Sequence, residues 1–326
     1  MNPERVIVLG AGAIGASIGA LLFEAGAPVV LVARADHGIA IAERGVDLRL
    51  PSHSRIVRIP RVEDIRAVAP TARDLVLVAT MGHHTAQAVA SLPSDVPVAS
   101  FQNGLVPIEV LHERGHPTLA AMVYVPAERR GPGIVALQGT PHFGTVLLGP
   151  WPARASEPIR RDLGPWAHWL VERLVTAGFD AEMTDAIKPW IYAKLLVNLA
   201  GIVVALCDEA ADDVVHLARA EARAVFLAAQ VPFREVDELV SRVGKLETAV
   251  IDGVVRRGGS TRAALARGEP LETATLHQTV LELGRRTGCP TPVNEALVAL
   301  ADRAARDGMR PGAMSAKALR RAVGLA

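Results

Sequence analysis

Two groups of residues in this 326-residue chain have the types and spacing that chemistry needs. The first is Gly10-Ala11-Gly12-Ala13-Ile14-Gly15, which follows an apolar run (residues 5–9) and opens a stretch with helical spacing. In such a turn the first glycine permits the sharp bend and the second lets backbone approach a pyrophosphate. The third lets helix and strand pack closely. The helix N-terminus then offers unpaired N–H groups and a positive dipole end to the phosphates. A GxGxxG string alone is weak evidence, and a small-residue packing helix is the competing reading. Here a strand precedes it, a helix follows, and a second apolar run, residues 28–33, comes at the right distance.

That second run ends in Arg34. An acidic residue there would hold the ribose 2′-OH of NAD, whereas a guanidinium suits the 2′-phosphate of NADP. The competing reading is an ordinary solvated arginine. The expected cofactor is NADP(H).

The second group surrounds a lysine. Only Lys188, Lys194, Lys245 and Lys317 occur, so arginine supplies most surface cations. A lysine inside an apolar helical stretch points to chemistry, because desolvated lysine can release its proton and arginine cannot. Lys194 and Asn198 stand four apart and share a helix face. The alternative is a lysine snorkelling at a helix surface.

The elements that must position these groups are legible as alternating strands and helices. Residues 75–80, 96–101 and 119–125 read as further buried strands, with 45–50 and 55–60 as an inserted hairpin. The alternation predicts a mostly parallel, doubly wound sheet. Residues 134–149 read as antiparallel strands closing that domain, followed by a helix over 158–177 and a short strand over 179–183. From Asp185 the pattern is helical, with Asp185 as expected N-cap and Pro189 in the first turn. Four or five more helices follow, broken near 258–260, 267–270 and 288–292. The expected domains are therefore 1–184 and 185–326.

Composition narrows the class. A net charge of +1 and 4% aromatic residues leave no basic footprint or stacking platform for nucleic acid. Glu24 and Pro28 interrupt the apolar N-terminal run, which argues against a signal peptide or membrane helix. Two cysteines, Cys207 and Cys289, form no disulfide framework, and a reducing cytoplasm is the expected location. The apolar C-terminal helices are compatible with a homodimer, but nothing specifies a symmetry.

The chain resembles the ketopantoate reductase (2-dehydropantoate 2-reductase) family along nearly its whole length. The resemblance rests on GAGAIG, on FQNG at 101–104, and on D-A-I-x-x-W-x-x-x-K-L-x-x-N at 185–198. It rests also on S-T-x-x-x-L-x-R-G-x-x-x-E at 260–272 and G-x-P-T-P-x-N at 288–294. It implies an α/β fold, a Rossmann-like doubly wound N-terminal domain joined to an all-α C-terminal domain. It implies NADPH-dependent reduction of a small 2-oxo acid. Lys194 matches the family's general acid, and Glu272 the glutamate that orients substrate and lysine. Asn198 matches an asparagine that holds substrate, Asn103 one near nicotinamide and substrate, and Ser260 a serine on the substrate carboxylate. Taken alone, Glu272 reads equally as a helix N-terminal acid, Ser260 as an N-cap and Asn103 as an Asn-Gly turn residue.

Two departures bear on substrate and cofactor. Where the family has a second asparagine one turn after the first, this chain has Ile202. Loss of one buried hydrogen bond costs about 1–3 kcal/mol, which favours weaker ketopantoate use or a more apolar 2-oxo acid. Where the family offers a lysine near the cofactor, the chain reads Thr80-Met81-Gly82-His83-His84. These histidines read as exposed loop residues without a third metal ligand. The alternatives are a paralogous reductase of another oxo acid or imine, and a non-catalytic NADP-binding sensor, which would have no need of Lys194 and Glu272.

Overall fold

The computed structural model describes residues 2–152, 157–269 and 271–325. By contact the chain forms two compact units. The first contains Met1–Asn103, Pro107–Lys188 and Ser241–Arg256; the second contains Gly104–Val106, Pro189–Val240 and Arg257–Ala326. The chain thus does not divide at one point such as 184/185. It hands a short turn to the second unit and later returns a strap, residues 241–256, to the first.

The first unit begins β1 (Val6–Leu9), α1 (Ala13–Glu24), β2 (Val29–Val32), α2 (Ala35–Arg44), β3 (Val46–Arg49), β4 (Ser54–Val57) and β5 (Arg61–Val62). It continues β6 (Leu75–Val78), α3 (Thr85–Ala88), β7 (Val98–Ser100), α4 (Val106–Glu113), β8 (Thr118–Tyr124), β9 (Ala127–Gly131) and β10 (Ile134–Leu137). It ends β11 (Gly139–Thr140), β12 (Thr145–Trp151), α5 (Glu157–Thr176) and β13 (Asp180–Met183). The main sheet has the order β13-β12-β8-β7-β6-β1-β2-β5, parallel from β8 to β5, with β12 antiparallel to β8. Successive side chains of a strand point to opposite faces, so a doubly covered strand needs apolar residues throughout. Val6 and Val8 accordingly join one core and Ile7 and Leu9 another; Leu75 and Leu77 divide from Val76 and Val78 in the same way.

A second sheet, β4-β3-β10-β9, packs on α1. Covered by sheet on two sides, α1 is buried from Gly15 to Leu22, which its small and apolar residues allow. Here the reading of 134–149 needs correction. β10 pairs parallel with β3 and antiparallel with β9, while β12 belongs to the main sheet. Local alternation identifies a strand but not its distant partner.

The second unit is helical: α6 (Ile187–Asn198), α7 (Gly201–Leu206), α8 (Asp212–Ala228), α9 (Val236–Val243), α10 (Ser260–Ala266), α11 (Thr273–Thr287), α12 (Pro292–Arg306) and α13 (Ala316–Ala322). Between α9 and α10 the strap carries β14 (Glu247–Thr248), which pairs antiparallel with β11. The helix expected from Asp185 starts two residues later, after Thr184 Oγ1 has accepted a 3.1 Å bond from Ala186 N–H. It also breaks at Leu199–Ala200. Residues 187–206 are long and apolar enough to cross a membrane by length and composition, and 56% of that window is buried inside the protein. Ile202, Leu206, Val214, Ala218, Leu297 and Leu319 form the heart of the helical core.

Candidate active site

Chain order in the main sheet reverses between β1 and β6, the place where α/β sheets bind ligands at strand carboxyl ends. The glycine turn leaves β1 there. Gly10 adopts φ +101°, and a Cβ on it would lie 2.8 Å from Thr80 N at the end of β6. A Cβ on Gly15 would fall inside the Gly10 carbonyl oxygen and 3.0 Å from its carbon. A Cβ on Gly12 would meet nothing within 4 Å. Gly12 is the N-cap of α1, without a side-chain cap or an acid in the first turn. The positive helix end therefore faces open space beside the one glycine of these three that has room around it, and this arrangement fits a dinucleotide pyrophosphate.

Arg34 is exposed at the end of β2 as the N-cap of α2. It acts electrostatically on His84, whose pKa is lowered by burial, by His83 and by Arg34. The rings of His83 and His84 meet edge to face at 4.1 Å, and both residues are exposed. No group of three metal-ligating residues occurs among the described residues.

Asn103 follows β7. Its neighbour Gln102, which sequence reasoning passed over although it stands inside FQNG, is 6% exposed. Gln102 Nε2 donates to Thr80 O (2.9 Å), Thr80 Oγ1 (3.1 Å) and Thr85 Oγ1 (2.8 Å), while Oε1 accepts from Ser100 Oγ (3.3 Å). One amide thus ties the loop after β7 to the loop after β6, the same Thr80 that the Gly10 turn abuts.

In the helical unit, Lys194 and Asn198 lie one turn apart on α6, both partly buried. Ala193, Leu195 and Leu196 around Lys194 are at most 1% exposed. α7 packs on α10, and a Cβ on Gly201 would stand 2.8 Å from Thr261 Oγ1. Ser260, exposed at the first position of α10, is thereby set beside the α6–α7 junction, three residues past Asn198. Glu272 is 8% exposed at the N-cap of α11. The Gly104 turn packs on that same helix: a Cβ on Gly104 would lie 3.1 Å from Leu276 Cδ2, one turn beyond Glu272. Asn103, Lys194, Asn198 and Glu272 each engage at least one polar or electrostatic partner. Ile202 is 1% exposed, a core residue.

Behind Glu272 lies a buried network that the sequence did not reveal. His277 Nδ1 donates to Asn294 Oδ1 (2.8 Å); Asn294 Nδ2 donates to Ala218 O (3.0 Å) and Glu221 Oε2 (2.7 Å). Glu221 also accepts from the Val293 and Asn294 N–H groups at the start of α12. His277 is fully buried with Nε2 unpartnered, and desolvation, opposed by the Asn294 bond, brings its pKa down to about 4.

A glycine turn at the switch point of a doubly wound sheet, followed along the chain by a helical unit, defines a Rossmann-type protein with the turn that suits a dinucleotide. The chain belongs to the ketopantoate reductase PanE/ApbA family, whose N-terminal pattern matches residues 6–153 and whose C-terminal pattern matches residues 186–305. It is 29% identical over 199 residues to the 2-dehydropantoate 2-reductase of Pyrococcus horikoshii, matching 60% of this chain and 61% of that one. The match thus spans under two thirds of that relative. It is 27% identical over 343 residues to that of Mesorhizobium japonicum, covering 92% and 98%. Among solved structures, a PanE/ApbA family ketopantoate reductase from Ralstonia eutropha JMP134 superposes with a TM-score of 0.74 at 27% identity, covering 94% of this chain and 100% of that one. The family is NADPH-dependent.

Proposed function

We propose that this chain reduces a 2-oxo acid to the 2-hydroxy acid with NADPH, ketopantoate to pantoate being the leading reaction. The observation that carries this reading is Lys194 with Asn198 on one face of α6, among residues that are otherwise buried. The backbone of Gly10, Ala11, Gly12, Ala13, Ile14 and Gly15 holds the pyrophosphate. Arg34 takes the 2′-phosphate, and Asn103 sits at the nicotinamide end. NADPH, when bound, supplies the hydride. Negative charge then grows on the ketone oxygen. The Lys194 ammonium hydrogen-bonds that oxygen and gives it a proton, an effect worth about 10²–10⁴ in rate. Glu272 keeps Lys194 charged and orients it with the substrate. Asn198, Asn103 and Ser260 fix the rest of the molecule, Ser260 at the carboxylate.

A spectrophotometric assay of NADPH oxidation with ketopantoate tests the substrate; no turnover by folded, cofactor-binding protein rejects it. Lys194→Ala is expected to lose two to four decades of kcat with cofactor affinity intact, and full activity in that variant rejects the mechanism. A second reading, a 2-oxo acid or imine with a more apolar side group, rests on the sequence departure alone, Ile202 standing where the family has a second asparagine, because Ile202 itself lies in the helical core. A panel of 2-oxo acids separates the two.

A further inference from the structure

His84, which the reaction above leaves without a role, is held at the sheet edge where the glycine turn begins. β1 lies between β2 and β6, and the three strands end level, Leu9 standing opposite both Val32 and Val78. At a strand spacing of about 4.8 Å the exits of β2 and β6 are about 10 Å apart, and the Gly10 turn leaves between them. Arg34 follows closely on Val32, at the exit of β2. His84 closes the short turn Gly82–His84 that follows β6.

The amide of Gln102 fixes that turn. Its Nε2 donates to Thr80 O (2.9 Å) and to Thr85 Oγ1 (2.8 Å), and Thr85 Oγ1 donates onward to Gly82 O (2.7 Å). Thr80 is the residue that the Gly10 turn abuts. One buried nitrogen thus ties the residue after His84 to the residue against the dinucleotide turn. The backbone under His84 is therefore a fixed part of the edge. Its ring stays exposed beside that of His83, the two centroids 4.1 Å apart.

The charges around this ring are of one sign. Partial burial, His83 on the same turn and Arg34 at the exit of β2 all hold the pKa of His84 below its usual value. The glycine turn, α3 and the loop of Gln102 and Asn103 bring no titratable side chain. At the neighbouring exit of β5, Asp64 feels Arg34 but has both its oxygens on Arg66 (2.9 and 2.6 Å). A neutral imidazole in such a place costs nothing while water surrounds it. An anion set between Arg34 and His84 reverses the balance, because an opposite charge favours the protonated ring. Histidine can answer by taking up a proton near neutral pH, whereas arginine is charged throughout.

We propose that His84 is the second cation of the 2′-phosphate site: its imidazole takes a proton from solvent as NADPH binds and pairs, across the glycine turn from Arg34, with the phosphate that NADH lacks. This rests on the reading of Arg34 above. It makes the preference for NADPH over NADH depend on pH, which an arginine alone does not.

Calorimetric titration of the whole protein with NADPH and with NADH, in buffers of different ionisation enthalpy, counts the protons exchanged. Wild type is expected to take up about half a proton or more per NADPH at pH 7.5 and none per NADH. Kd for NADPH is expected to be about five- to tenfold larger at pH 7.5 than at pH 6.5, with Kd for NADH changing less than about twofold. The sign identifies a protein group. A phosphate monoester, with a second pKa of about 6, can only lose a proton on meeting cations, and Arg34 does not titrate. His84→Asn is expected to abolish the uptake and to raise NADPH Kd about tenfold at pH 6.5, leaving NADH Kd unchanged, while His83→Asn keeps the uptake. Both histidines are exposed, so neither substitution touches the core. No uptake by wild type, equal uptake with NADH, or uptake that survives His84→Asn overturns the assignment and leaves Arg34 and the reductase reading standing. Absence of any NADPH binding by the folded protein removes the cofactor reading and this assignment with it.

Discussion

Replacing Gly15 by alanine adds one methyl group at the tightest point of the dinucleotide turn. The new Cβ would enter the Gly10 carbonyl, which is backbone and cannot rotate away, and would also lie 3.1 Å from Ala79 Cβ. Restoring an ordinary carbon–oxygen contact of about 3.2 Å requires α1 and the turn to part by more than about 1 Å. Overpacking of this kind costs about 1–3 kcal/mol of stability. The larger effect falls on the cofactor. A hydrogen bond of about 2.9 Å stretched by 1 Å is lost, and each bond to a charged acceptor is worth about 1.5–3 kcal/mol. Two such bonds from the first turn amount to about 3–6 kcal/mol, or two to four decades in NADPH Kd. Isothermal titration with NADPH measures it. Gly12→Ala is the matched control, because its Cβ meets no protein atom and Gly12 has φ −67°. That variant is expected to keep the apoprotein's Tm and still lose NADPH, since the methyl occupies the ligand's approach. NADPH affinity within threefold of wild type in Gly15→Ala would refute the packing argument, and normal affinity in Gly12→Ala would refute the assignment of the open space.

Arg34→Asp should raise NADPH Kd about 10- to 100-fold and leave NADH Kd nearly unchanged, because aspartate is a good N-cap for α2 and the fold is spared; equal weakening of both cofactors would remove Arg34 from 2′-phosphate recognition. His277 carries a pH signature. Its folded pKa of about 4 lies below the usual 6.5, so between these values the unfolded chain binds a proton that the folded chain refuses. Stability is therefore full above pH 6.5 and falls by up to about 3 kcal/mol toward pH 4, and urea midpoints should show His277→Gln flattening that slope.

The parts of the fold that were legible are those governed by local repetition. Residues 6–9 and 75–78 are apolar at every position, which only a doubly covered strand needs, and the structure divides them between two cores. Breaks at Gly258–Ser260 and at Gly288–Pro292 fall where α10 begins and where α11 gives way to α12. What escaped depends on partners far along the chain. β9 reads AERRG, with nothing apolar beyond its first residue, and is a strand because β10 pairs with it across Gly133. The strap carries charges and exposed valines, and it joins the first unit through distant partners: β14 on β11, Ala249 N–H on Gln138 O and Arg130 Nη1 on Ile251 O.

The same logic separates residues that act from residues that hold. Lys194 was legible because lysine is rare in this chain and its neighbours are apolar, so its type alone carried information. Gln102, His277 and Asn294 were not, because buried amides and imidazoles in a sequence look like any polar residue in a loop or helix. Their meaning lies in partners 22, 17 and 76 residues away. A buried polar group left unpaired costs about 1–3 kcal/mol, so each of these side chains requires a definite arrangement of its partners. Gln102 requires Thr80 and Thr85 at the exits of β6, and thereby holds the loop that presents Asn103 against the turn that begins at Gly10. His277 requires Asn294, and Asn294 requires Glu221, so the helix that starts at Glu272 is tied to the starts of α12 and the middle of α8.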